Sequence, residues 1–428
     1  MYALSALLTA CSQPVPPPDK VDVVLVVVDT LRRDHTSVYG YSRTTTPALS
    51  ALAAQGVRYD RAVSAAPWTL PSVTATLTGE LPSTLGVVRH DSLVPDDALL
   101  ISEVFSEAGW ATGAVTSHSF FSPDHNLQQG FSVFDTRNIA GHLAETSAGV
   151  TDAALRFLRR NPGEAVFVVA HYFDPHFAYL AHEGHTFDGP DYDGPIRAGL
   201  PIKKLRALAP ALTVSDHEAL RRLYDSEVAH TDNHIGRLLD ALEARGPERT
   251  LVIVTHDHGE SFMEHGHMGH TTQLYGELID APLVVRYPAG VGPAPGTVVS
   301  ERVSLMDLPR TIASVAGLDA SAFSGHSLLS PAPDRVVQSE TLKGADLRAV
   351  VGPRHKLIWN RKTDRRQLFD LEADPGEQQA LSVQPSSPEV EALRPLLHRW
   401  GPSRASQAAA LSEEAQERLR ALGYIDEP

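Results

Sequence analysis

The chain has 428 residues, 42% of them apolar, enough to bury a large core and to exclude a disordered, collagen-like or disulfide-scaffold protein. Its 37 Lys and Arg against 52 Asp and Glu give a formal net charge of −15. That balance argues against a general nucleic-acid binder, while a locally positive site could still take an anionic substrate. The single cysteine, Cys11, makes no internal disulfide, no CxxC pair and no cysteine-based zinc site. No apolar run approaches the roughly 20 residues that span a bilayer.

In chain order, Leu8-Thr9-Ala10-Cys11 closes a short apolar stretch with the small residues that a bacterial lipoprotein signal peptidase accepts before its cysteine. Pro14, Pro16, Pro17 and Pro18 follow as a tether. The expectation is a cell-envelope lipoprotein held to the membrane only through Cys11; the competing reading is a frayed terminus with an incidental cysteine. Residues 21–28, β-branched and continuously apolar from Val23, predict a strand buried on both faces. Further short buried strands are expected at 111–116, 165–170, 250–255 and 282–285, and helices at 98–108, 144–160 and 216–244. This alternation predicts an α/β fold, a mostly parallel sheet sandwiched by helices, with ligands outside the carboxyl ends of the strands. Residues 182–211, rich in Gly and Pro, read as a long excursion near that edge. Beyond about Asp334 come strand candidates at 349–351, 356–359 and 367–371 and a helical tail at 389–422, broken at Gly401-Pro402. The expected organisation is a signal and tether at 1–20, a catalytic α/β domain at 21–334 and a smaller C-terminal α+β subdomain at 335–428.

Polar, metal-capable residues gather where the predicted strands end. Asp29 follows the first strand directly. In Trp68-Thr69-Leu70-Pro71-Ser72 a hydroxyl precedes a helix start. His171-Tyr172-Phe173-Asp174-Pro175-His176 follows the strand at 165–170, and His256-Asp257-His258-Gly259-Glu260 follows that at 250–255, with His265, His267 and His270 beyond. Asp and His together ligate divalent cations. A threonine hydroxyl is a poor nucleophile until a metal lowers its pKa, and a helix N-terminus stabilises a developing oxyanion. Taken singly, Asp29 reads as a turn residue, Thr69 as an N-cap and each His as a solvated loop residue. Joined at one sheet edge, they read as a metal-assisted hydrolytic site. His265 and His267 read as ordinary loop residues, with a second metal site as the alternative.

These segments, in this order, resemble the sulfatase family of the alkaline phosphatase superfamily from about Val21 to the C-terminus. Asp29-Thr30-Leu31-Arg32-Arg33-Asp34 with Tyr39-Gly40-Tyr41 is similar to the family's first metal segment. Thr69-Leu70-Pro71-Ser72 through Gly79 and Pro82 is similar to its nucleophile signature, and Asp174-Pro175-His176 to its active-site histidine segment. Asp257-His258-Gly259 resembles its second metal segment, and Gly269-His270 falls where the family usually carries a lysine. The resemblance implies Asp29, Asp257 and His258 as metal ligands, Thr69 as nucleophile and metal contact, and His176 and His270 as groups on the ester oxygens and leaving alcohol.

Two departures bear on the reaction. Val28-Asp29 stands where the family pairs two Asp, which removes one oxygen ligand and shifts the expected divalent ion from calcium toward zinc or manganese. Thr69 cannot become formylglycine, and Val73 replaces the arginine of the signature, so an ester formed on Thr69 has to be released by water at sulfur or phosphorus. The expected function is metal-dependent hydrolysis of sulfate or phosphate esters on a small molecule or glycan. The alternatives are a phosphodiesterase, a phosphoglycol or phosphoethanolamine transferase of the envelope and, from another class, an inactive ester-binding protein.

Overall fold

The computed structural model describes residues 20–141, 143–382, 393, 396, 400 and 403–421; Cys11 and the proline tether lie outside them. Among the described residues fifteen strands run in chain order: β1 (Asp22–Val28), β2 (Val57–Val63), β3 (Ala111–Val115), β4 (Val133–Asp135), β5 (Val166–Tyr172), β6 (Thr250–His256), β7 (Ser261–Phe262), β8 (Met268–Gly269), β9 (Asp280–Ala281), β10 (Leu283–Arg286), β11 (Thr297–Ser304), β12 (Val337–Thr341), β13 (Leu347–Val351), β14 (His355–Asn360) and β15 (Arg365–Asp370). Nine of them form one sheet in the order β11-β2-β10-β6-β1-β5-β3-β4, with β9 paired to β2. The pairings of β1 with β5 and β6, of β3 with β4 and β5, and of β2 with β11 are parallel; β10 runs antiparallel to both its neighbours.

The continuous apolar run of β1 has the predicted cause. Val23, Leu25 and Val27 pack into one core and Val24, Val26 and Val28 into the other, so neither face meets water. Each such valine contributes roughly 1.5–3 kcal/mol of burial. The first core is closed by helices α2 (Thr69–Thr78), α4 (Ile101–Glu107) and α9 (Leu308–Val315), and the second by α1 (Pro47–Gln55), α5 (Ser147–Arg160) and α7 (Val214–Glu243). The described residues also form helices α3 (Pro82–Leu85), α6 (Ile202–Leu208) and α8 (Gly276–Ile279), and one in the C-terminal tail. The α/β sandwich is thus as expected from the alternation of elements. Register then aligns three strand ends: Val28 lies opposite both Tyr172 and His256. Asp29 and Asp257 therefore emerge side by side.

A second, antiparallel sheet, β12-β13-β14-β15, packs Val337, Ala349, Ile358 and Phe369 against Val63, Leu274, Leu278 and Ile279 of the first part. Strands β2, β4, β11 and β12 carry no continuous apolar run. Val57–Val63 reads VRYDRAV, with three charged residues on a half-covered strand, and the edge strand β11 shifts register between Val299 and Arg302. The C-terminal tail departs from its expected helix. Among the described residues it is helical at Leu393, at Leu396 and over Glu413–Ala421, whereas 403–411 is not. There the backbone bonds run to an earlier part of the same chain: the Arg404 and Ala409 amides donate to the Ser83 and Asp91 carbonyls at 2.9 and 2.6 Å, and Leu93 donates to the Gln407 carbonyl at 2.8 Å. A segment whose amides are satisfied across the chain has none left for an i to i−4 ladder.

Candidate active site

Thr69 is the first residue of α2, preceded by Trp68 in extended backbone, so it is not the N-cap that a local reading suggests. Its hydroxyl is buried, at the positive end of the helix dipole. Ser72, one turn on, and Ser64, at the end of β2, each donate to the Asp257 carbonyl at 2.5 Å. These bonds clamp the helix carrying Thr69 to the loop after β6. Gly259 permits that loop to pass close to α8, since a Cβ on it would meet the Glu277 carbonyl oxygen at 2.0 Å.

The three predicted ligands converge. Asp29, Asp257 and His258 each offer an atom within 4.8 Å of the others. The His258 Nδ1–H donates to the Gly259 carbonyl at 2.9 Å, which leaves the Nε2 lone pair facing Asp29 Oδ1 at 3.6 Å, Asp257 Oδ2 at 3.5 Å and Thr69 Oγ1 at 3.3 Å. A backbone acceptor on one ring nitrogen is the usual way to fix the ligating tautomer of a metal histidine. Both carboxylate oxygens of Asp29 and Oδ2 of Asp257 are fully buried and accept no hydrogen bond. Burial and the charges of Asp257 and Glu260 push the Asp29 carboxyl well above its usual range. Two buried, underbonded carboxylates beside a lone pair form a donor set that fits a divalent cation.

Two histidines that sequence reasoning left unassigned border the same point. His171, on β5, sets Nε2 at 3.9 Å from Asp29 Oδ2 and 3.8 Å from Asp257 Oδ2. His118 sets Nε2 at 3.9 Å from Asp29 Oδ2, with its Nδ1 accepting the Phe120 amide at 2.9 Å. His118 stands just past β3, so the strand-end rule that singled out Asp29 would also have found it. Val28 packs into the core below, and Thr30, beyond Asp29, turns at φ 51° with its buried hydroxyl unpartnered.

His176 and His270 lie together, ring centroids 5.0 Å apart, and His270 is 4.5 Å from His258. The His176 Nδ1–H donates to the Phe177 carbonyl at 2.9 Å, leaving Nε2 as the acceptor. His270 Nδ1 is 3.0 Å from Glu260 Oε1, while Tyr179 donates to Glu260 Oε2 at 3.2 Å. Burial raises the Glu260 carboxyl to about 7, against the pull of His258. Burial, then the neighbouring His258 and Arg206, hold His270 well below its usual pKa. Two cations absent from the sequence reading flank it: Arg206 on α6, donating to the Met268 carbonyl at 3.0 Å, and Lys343, whose Nζ is 5.1 Å from the Trp68 ring. His265 and His267 stay outside the ligand cluster. His265 stacks on Tyr275 at 3.6 Å with Nδ1 2.8 Å from Glu277.

Comparison with known proteins shows the family and the fold. The family model described as Sulfatase matches residues 21–318. An ulvan-active sulfatase of Formosa agariphila is 25% identical over 322 residues, 68% of this chain and 60% of that protein; the chain thus spans about three-fifths of that relative's length. The fold is similar to a structure solved with its substrate D-glucosamine-2-N,6-O-disulfate (TM-score 0.73, 19% identity, 94% of this chain and 98% of that one). It is equally similar to the phosphonate monoester hydrolase of Agrobacterium radiobacter (TM-score 0.71, 19% identity, 89% and 94%). The chain belongs to the sulfatase family.

Proposed function

We propose that this protein is a metal-dependent hydrolase of sulfate esters, acting on an anionic glycan or small molecule with Thr69 as nucleophile. The observation that carries the reading is the convergence of Thr69 Oγ1, the His258 lone pair and the underbonded carboxylates of Asp29 and Asp257 at one buried point. Asp29, Asp257 and His258 would hold the cation, with Thr69 as a further contact. The imidazoles of His118 and His171 nearby favour zinc or manganese over calcium. When bound, the cation supplies positive charge that acidifies the threonine hydroxyl and neutralises the ester oxygens.

The residues themselves do the rest. The α2 N-terminus and the Ser64 and Ser72 clamps fix where the Thr69 oxygen points, so its approach to sulfur costs little further ordering. The His176 ring stands beside those of His270 and His118, with centroids 5.0 and 5.7 Å away. Where Glu260 keeps its proton, the Glu260 to His270 contact leaves a hydrogen on His270 Nε2, ready for the departing alkoxide. Where Glu260 has ionised, the His270 Nδ1–H points at the carboxylate and Nε2 accepts instead, as the water that releases Thr69 requires. Arg206 and Lys343 bring positive charge to an otherwise acidic chain.

A phosphorus ester is the second reading. Thr69 cannot supply the aldehyde hydrate by which formylglycine sheds sulfate, and the fold is shared with a phosphonate monoester hydrolase. Aryl sulfate, phosphate monoester and phosphodiester, assayed in parallel on the zinc-loaded, manganese-loaded and metal-stripped protein, test both. Metal-dependent turnover with sulfate fastest supports the first reading, and phosphodiester fastest the second. Turnover of none of the three, with metal bound, would leave the inactive ester-binding alternative. The lipid anchor at Cys11 and a cell-envelope location belong to the same proposal; they rest on the Leu8-Thr9-Ala10-Cys11 pattern and the proline tether.

A further inference from the structure

A second group of metal-capable side chains lies apart from Thr69, where the start of α5 meets the middle of α7. His230 and His234 are four residues apart on a 30-residue helix, hence on one face. Glu145, just before α5, reaches over them. One atom from each of Glu145, His230 and His234 lies within 4.8 Å of the others.

The state of His230 points to a ligand. Its side chain is nine-tenths buried, and Nε2 sits 3.1 Å from Glu145 Oε1, yet that nitrogen makes no directed hydrogen bond. A buried nitrogen left so costs about 1–3 kcal/mol. The ring is also braced. His182 stacks on it at 3.9 Å and 9°, and His182 is itself held by Glu227 at 2.6 Å. An imidazole fixed by packing, with an open nitrogen facing a carboxylate, fits a ligand better than a core residue.

We propose that Glu145, His230 and His234 bind a second divalent transition-metal ion of the zinc class, with water in the fourth position. Two imidazoles and one carboxylate suit zinc's tetrahedral preference and are too few and too nitrogen-rich for calcium or magnesium. Arg237 competes for the site. Its guanidinium donates to His234 Nδ1 at 3.0 Å while holding Asp152 at 2.7 Å. Ligation through either nitrogen of His234 requires that first bond to break, and the second keeps Arg237 in place. Bound there, the ion joins α5 to α7 beside Asp174, whose Oδ2 is 3.9 Å from His230 Nε2. Asp174 stands two residues before His176, so the site braces the loop that carries this histidine.

The test is zinc stoichiometry of the full chain after stripping and reloading, by elemental analysis after dialysis and by calorimetric titration. Glu145→Gln and His234→Gln are each expected to hold one zinc fewer than the parent, and Arg237→Ala to bind that ion more tightly. Glu145 has an exposed side chain and His234 a partly exposed one, and circular dichroism checks that both variants fold. The comparison stands whether or not Thr69's site fills, because it counts a difference: two against one if both sites load, one against none if only this one does. Equal stoichiometry in the parent and both variants would overturn the proposal.

Discussion

Lys343 shows how much a single residue can do in a site this enclosed. Burial, with Arg206 nearby, brings its ammonium down to about 8. The folded protein therefore favours the neutral amine, whereas a bound anion favours the charged one. Below about 8 an anionic inhibitor binds to a lysine already protonated. Above it, binding has to take up a proton, so affinity for sulfate or vanadate is expected to fall as pH rises through that value. Lys343→Met should weaken binding at neutral pH and flatten this dependence; calorimetry in two buffers of different ionisation enthalpy reads both. An unchanged pH profile in the variant would remove Lys343 from the site. No sequence signal announces this residue, because 274 positions separate it from Thr69 and only the packing of the second sheet brings them together. Asp29, Asp257, His258, His176 and His270 were legible for the opposite reason. Each follows a strand end or belongs to an ordered motif, and the strands themselves are written as unbroken apolar runs. His118 obeyed the same rule, but without a neighbouring motif it drew no notice.

Among the elements, α5 and the loop after β5 support each other. Asp174 accepts the amides of Thr146 and Ser147 at 2.8 Å each and the Thr146 hydroxyl at 2.5 Å, so the helix is capped from outside its own segment. Asp174→Ala is expected to cost about 1–2 kcal/mol, read as a lower urea midpoint with unchanged slope. It should also lower kcat more than the stability loss alone explains, since His176 sits on the freed loop. Asp174→Asn keeps the geometry and part of the bonding, and should recover much of both. A sequence reading of Ala144 to Arg160 finds the helix by its apolar spacing; the capping residue, 27 positions past Ser147, is invisible to any local window. The expected helical tail is broken at 403–411 on the same ground, for there the Arg404 and Ala409 amides donate to residues distant in sequence.

For the molecule as a whole, one buried acid adds to the apolar packing between the second sheet and the rest. Glu340 accepts from the Ser83 amide at 2.6 Å and from Trp400 Nε1 at 2.6 Å, pairs with Arg348, and donates its own amide to the Ala65 carbonyl at 2.9 Å. Arg348 is 1% exposed. Removing Glu340 leaves the buried guanidinium with only the longer contact to Asp346, at 3.4 Å, so Glu340→Ala is expected to destabilise by about 3 kcal/mol, measured by chemical denaturation. A loss below about 1 kcal/mol would mean that water reaches Arg348. Since Lys343 rides on the loop after β12, the same substitution should weaken anion binding. The acidic net charge fits this division: under the proposed function the positive field for an anionic ester would come from the cation together with Arg206 and Lys343, which separate parts of the chain bring beside His270.

Attack on the ester by Thr69 is tested most directly by kcat/KM for an aryl sulfate or phosphodiester on the metal-loaded wild type, Thr69→Ser and Thr69→Ala. Removing a nucleophile that acts with its metal should cost at least ~10³-fold in Thr69→Ala. Thr69→Ser should retain measurable activity, and metal stoichiometry at Asp29, Asp257 and His258 should fall by less than one ion in either variant. Equal kcat/KM in wild type and Thr69→Ala, with metal bound in both, would contradict the claim.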